Sequence, residues 1–137
     1  MKKRILSLLT VMVLVLTLLP AQALAAEGGA PWSGAGTADD PYQVTTADDL
    51  KALAENVNSG TNYSGQYFKL MNDIDLGGSE ENQWTPIGIF DADARDVDPF
   101  SGTFDGDGYK ITGLYIYSET RKDYQGLFGY VTGTIQN

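Results

Sequence analysis

The sequence predicts a mainly β chain, a β-solenoid of stacked coils with one amphipathic capping helix near its N-terminal end, preceded by a signal peptide. Three observations carry this. Shifted by 24 positions, the tail 100–137 meets itself: Phe100 falls on Tyr124, Gly102 on Gly126, Phe104 on Phe128 and Ile111 on Ile135. The head of that unit, aromatic-x-Gly-x-aromatic, occurs earlier as Tyr63-Ser64-Gly65-Gln66-Tyr67. Units of this size stack because none can bury its apolar face alone. Second, the alternation of apolar residues is interrupted at Asn72-Asp73 and changes parity at Thr112-Gly113, as expected where a chain turns corners around a shared interior. Third, one stretch only beyond the leader carries a helical period.

The leader comes first. Lys2, Lys3 and Arg4 precede an uncharged, mostly apolar run from Ile5 to Leu19, and Ala23-Leu24-Ala25 is a small-x-small cleavage signature, so residues 1–25 read as a signal peptide. The run is 15 residues long, short of the roughly 20 needed to span a bilayer. Secretion or display on the cell surface is therefore expected, with no membrane insertion after cleavage. Residues 26–37, rich in Gly and Ala, read as a flexible lead-in. Residues 38–137 read as the N-terminal cap and first coils of the solenoid.

Within that region Pro41 holds Asp40 extended, and Tyr42 and Val44 alternate, which predicts a short strand. Trp32 is expected to cover the end of the core rather than to stack on a sugar. Thr46 reads as a helix N-cap with Asp48 and Asp49 in the first turn. Leu50, Leu53, Ala54 and Val57 form one stripe, and Asn58-Ser59-Gly60 ends the helix. Phe68 and Leu70 share one strand face, as do Ile74 and Leu76. Residues 77–99 break the rhythm and read as an insertion protruding from one coil. Asp105-Gly106-Asp107-Gly108 is a turn, after which Ile111, Leu114 and Ile116 point inward. In the 24-residue register Asn137 aligns with Gly113, so the coil is expected to be unfinished, with further C-terminal coils of the same polypeptide to follow.

Composition excludes several function classes. The chain has no Cys and no His, which removes disulfides, thiolate chemistry, His-based acid–base catalysis and His-ligated metals. Without the leader, six basic residues face 18 acidic ones, a net charge of −12. Such a surface disfavours nucleic acid and anionic lipid.

Gly126-Leu127-Phe128-Gly129 resembles the GLUG motif (Gly-Leu-any-Gly) of repeats in large secreted and surface-attached bacterial proteins. The segments 100–111, 36–44 and Asp48-Asp49-Leu50 are similar to what precedes it in such proteins, in the same order. The resemblance implies a right-handed parallel β-helix of the pectin-lyase type in an adhesin-like protein, and it transfers no catalytic residues. A leucine-rich repeat, the rival of similar period, would need a Leu-rich signature that residues 100–137 lack.

Two groups of residues are candidates for chemistry. Asp91, Asp93, Asp96 and Asp98 crowd one loop, and oxygen ligands suit Ca²⁺. An EF-hand loop starting at Asp91 would need Gly and Glu where Asp96 and Gly102 stand, so a solvated acidic loop is the expectation, and no cofactor is expected. Tyr109, Tyr115 and Tyr117 are predicted to face outward as a ligand surface, since tyrosine is enriched where surfaces recognise partners. Asp105 and Asp107 read as turn formers, and Lys110 and Arg121 as outer-face cations, so no active site is expected. The expectation is a non-catalytic adhesin-like repeat protein that binds a glycan, matrix or host protein. The alternative is the N-terminal accessory region of a larger secreted protease or polysaccharide-degrading enzyme.

Overall fold

Thr46 ends one extended run and begins the helix. Strand β1 (Tyr42–Val44) leads into α1 (Ala47–Val57), where the Thr46 hydroxyl accepts from Asp49 N–H at 3.1 Å and the Asp49 carboxylate accepts from Thr46 N–H at 2.9 Å. This reciprocal pairing satisfies amides that have no partner inside the helix. Leu50, Leu53, Ala54 and Val57 are all buried, and Gly60 closes the end at φ +101°, so the predicted stripe, cap and stop all stand where the sequence placed them. A computed structural model describes residues 31–93, 95–119 and 123–137; the predicted leader 1–25 lies outside them.

Beyond α1 come β2 (Tyr67–Leu70), β3 (Ile74–Asp75), β4 (Ile89–Asp91), β5 (Asp96–Asp98), β6 (Thr103–Asp105), β7 (Ile111–Thr112) and β8 (Thr134–Gln136). Strands β1, β2, β6 and β8 form one parallel sheet in that order, with Tyr42, Phe68, Phe104 and Ile135 in one row. Strands β3 and β7 pair in parallel, Ile74 opposite Ile111. A third parallel run joins Ile87 to Phe128 and Phe100 to Val131. The described residues are thus mainly β, with a parallel sheet and one short helix. Phe68, Phe100, Leu70, Val44, Ile87 and the helix stripe belong to a single buried cluster.

Trp32 covers this cluster, as expected. It is 5 % exposed, donates from Nε1 to Asp49 O at 3.1 Å, and meets the rings of Tyr42, Tyr63 and Phe68. The lead-in is pinned from here on, since Gln43 N–H donates to Ser33 O and Tyr67 N–H to Gly36 O.

The 24-residue register is not the stacking register. Phe104 does touch Phe128, with ring centroids 5.3 Å apart, but the contact crosses the interior. Along the ladders Phe104 pairs with Ile135, Ile111 pairs with Ile74, and Phe128 pairs with Ile87. Asn137 lies beside Gly106, its side chain donating to Asp105, and not beside a counterpart of Gly113. Unequal excursions cause this. Between Gly88 and Phe100 one coil makes the antiparallel hairpin β4–β5, whereas its neighbour passes directly from Gly129 to Val131. The hairpin is the protrusion expected in 77–99. Leu114 also departs from its inward assignment, being 45 % exposed: residues 113–117 form no strand, so strict alternation does not govern them.

The Gly126-Leu127-Phe128-Gly129 segment has a clear structural job. Leu127 O accepts from Ile87 N–H and from Trp84 Nε1, and Gly129 N–H donates to Ile87 O. It is laid against Trp84–Gly88, which is its true neighbour in the stack.

Candidate functional site

The hairpin that spoils the repeat period also walls a cleft. The hairpin β4–β5 and residues 116–118 and 123–125 line a trough of about 840 Å³ on one flank. Phe90, Tyr117 and Tyr124 supply aromatic faces to it. Tyr124 is held at φ +64°, its ring tilted against Phe90 at 5.1 Å, with Tyr130 5.3 Å from Phe90 and 6.2 Å from Tyr124 completing a three-ring cluster. Such a backbone conformation is uncommon for a residue with a side chain, and here ring packing holds it. Tyr117 is 60 % exposed, and its N–H is tied at 3.0 Å to Gln83 Oε1.

Asp91, Asp93, Asp96 and Asp123 line the same cleft. Asp91 and Asp96 stand opposite each other across the hairpin, and Asp93 N–H donates to Asp91 Oδ1 at 3.0 Å. Of the four loop aspartates weighed for Ca²⁺, three line the cleft. The fourth, Asp98, pairs with Ile89 and turns toward Gly60. Among the described residues no three acidic side chains converge as a metal cage.

The predicted tyrosine face is divided. Tyr117 lines the cleft. Tyr109 is exposed in the turn after β6, its N–H donating to Gly106 O. Tyr115 is half-buried, with its Cβ over Gly78 and its carbonyl accepting from Trp84 N–H. Among the described residues no ring contact joins these three. Sequence reasoning missed Phe90 and Tyr124 as a pair. The available signal was that Phe90 lies within the insertion 77–99 and Tyr124 directly follows the polar turn expected at 118–123.

The shifted titratable groups lie elsewhere. Burial pushes the Asp49 carboxyl up, but hydrogen bonds from Thr45 and Thr46 outweigh it and hold the group below its ordinary value. Donors from Asn137, Asp107 and Gln136 hold Asp105 low. Burial raises the Tyr63 phenol. Chemically, the cleft offers ring faces and carboxylate hydrogen-bond acceptors.

No family profile and no solved structure matches the chain. Two proteins do. It is similar to Halomucin of Haloquadratum walsbyi, 34 % identical over 111 residues, covering 79 % of this chain and 1 % of that protein. It is also similar to a protein named as a Gly-rich membrane protein of Evansella cellulosilytica, 37 % identical over 114 residues, covering 76 % of this chain and 11 % of the relative. The chain therefore spans a small part of the length of the relatives it matches. Among the described residues no helix is long and apolar enough to cross a membrane.

Proposed function

We propose that this chain is a non-catalytic, adhesin-like surface or secreted repeat segment whose parallel stack opens a right-handed β-helix bearing GLUG-type coils. Three parallel runs around one apolar interior support the architecture. The exposed β8 edge, with Ile135 46 % exposed, is a surface that a further coil of the same polypeptide would cover. The names of the two similar proteins support a location at the cell surface or membrane.

The observation that carries binding is the cleft: exposed rings and acceptors are mounted on excursions from a rigid stack, where recognition is commonly placed. Its ligand is a glycan. The test is retention of the purified chain on immobilised glycans and matrix proteins, with product analysis alongside. Saturable retention of glycans without release of shorter sugars is expected. Retention of nothing, or steady release of reducing or unsaturated sugars, would refute the reading.

A further inference from the structure

Asn62-Tyr63-Ser64 is the one Asn-x-Ser/Thr triplet that the six asparagines of the chain form, the pattern that N-glycosylating enzymes accept on exported chains. It lies in the turn between α1 and β2. Asn62 and Ser64 are exposed, whereas Tyr63, at φ +57°, packs its ring against Trp32 and Phe68. The backbone of the turn is pinned: Asn62 O accepts from Ser101 N–H at 2.8 Å, and Tyr63 O from Gln66 N–H at 3.0 Å. Asn62 Oδ1 accepts from Ser64 N–H at 3.0 Å, which closes an Asx turn. Among the described residues neither Asn62 Nδ2 nor the Ser64 hydroxyl has a hydrogen-bond partner. A Cβ at the next residue, Gly65, would meet nothing within 4 Å, so the space beside the turn is open.

We infer that Asn62 is the acceptor of an N-linked glycan, added by a transferase whose donor is a glycan carried on a lipid phosphate or diphosphate. Nδ2 attacks C1 of the first sugar. The Nδ2–C1 bond forms, the C1–O bond to phosphate breaks, and the phosphate leaves with the bonding electrons. A base of the transferase takes the Nδ2 proton. The Asx turn needs only the backbone N–H of residue 64, which any residue but proline supplies. The fold therefore employs Asn62 and Tyr63 but makes no use of the Ser64 hydroxyl, the group that the acceptor pattern demands at its third position. A pinned backbone holds the Asn62 side chain at the surface, where a bulky hydrophilic adduct displaces no buried contact. The inference rests on the export that the reading above proposes, and not on the cleft.

Tryptic mapping by mass spectrometry tests this on the protein recovered from the medium and cell surface of its native host. The peptide 52–69, released between Lys51 and Lys69, holds Asn62 and no second triplet of this kind. It is expected to carry sugar residues, which fragmentation places on Asn62. Ser64→Ala keeps the N–H that closes the turn, so it should fold as the parent does and lose the modification completely. Ser64→Thr should retain it, and Asn62→Gln should lose it. An unchanged circular dichroism spectrum for Ser64→Ala shows that the loss is one of modification and not of folding. An exported chain with a bare peptide 52–69, sugar on Ser59, Thr61 or Ser64 in place of Asn62, or a Ser64→Ala chain still modified at Asn62 would overturn the inference. In each of these cases the surface reading stands. A chain found only in the cytoplasm, with the peptide bare, would sink both.

Discussion

Asn58 and Gly88 are tied together across the molecule: Asn58 Oδ1 accepts from Gly88 N–H at 2.9 Å while its Nδ2 donates to Pro86 O, also at 2.9 Å. One side chain at the helix C-cap thus satisfies two backbone groups of the segment beneath the cleft. Asn58→Ala would strand both, and it is expected to cost about 2 kcal/mol. Asn58→Asp keeps only the acceptor and should fall between. Urea midpoints measure both, and an unchanged midpoint for Asn58→Ala would contradict the clamp.

Phe68 is the densest point of the core, 1 % exposed and ringed by Trp32, Tyr42, Tyr63 and Phe100. Phe68→Ala is expected to remove about 4 kcal/mol, which is much of a small domain's stability. Val97→Ala, at a residue 47 % exposed on the hairpin, should change stability by less than about 0.5 kcal/mol. Denaturant unfolding of the two variants separates these outcomes.

The capping box should fail in acid. The Asp49 carboxylate has its pKa lowered in the folded chain, so its contribution is complete above the ordinary carboxylate value and is lost as pH falls through the lower folded value. Asp49→Asn is expected to be less stable than the parent at neutral pH, with the gap closing on acidification. A gap independent of pH would show that the charge is immaterial.

Both tryptophans are buried, Trp32 at 5 % and Trp84 at 6 % exposure, with Trp84 Nε1 donating to Leu127 O at 3.0 Å. Emission is expected to shift to the red on unfolding. Trp32→Phe and Trp84→Phe should each leave a single probe, and the two transitions should coincide if helix and stack unfold together. Separate midpoints would reveal two cooperative units.

At Gly133 a Cβ would run into Gly102 O. Gly133→Ala is therefore expected to loosen β8 alone: amide exchange should accelerate at Thr134 and at Gly106, which donate to Gly102 O and Gln136 O, while α1 keeps its protection. Faster exchange throughout α1 would show that the stack has no local hierarchy.

How much of this was legible depended on whether the deciding interaction was local. The helix over 47–57 was readable because Thr46, Asp49, the apolar stripe and Gly60 are all within one short window. The inward rows of β2 and β3 were readable from alternation. The coil register was not, because it depends on what interrupts each coil. Phe100-Ser101-Gly102-Thr103-Phe104 pairs with Val131-Thr132-Gly133-Thr134-Ile135, a match in Gly and Thr that the repeated aromatics outweighed. Likewise the neighbour of Leu127-Phe128-Gly129 is Pro86-Ile87-Gly88, whose likeness is only apolar-Gly. The cleft was legible in parts, as an acidic loop and as Tyr117, but their meeting required knowing that the hairpin β4–β5 lies beside Tyr117 and Tyr124.

The hairpin β4–β5 hangs beside the stack, adding no member to the fully buried cluster and sharing no strand with the parallel ladders. Its length and composition can therefore drift without forcing a slip in any rung. A lineage carrying this scaffold could exchange what it recognises by rewriting one flap of chain, keeping the column that holds it unaltered.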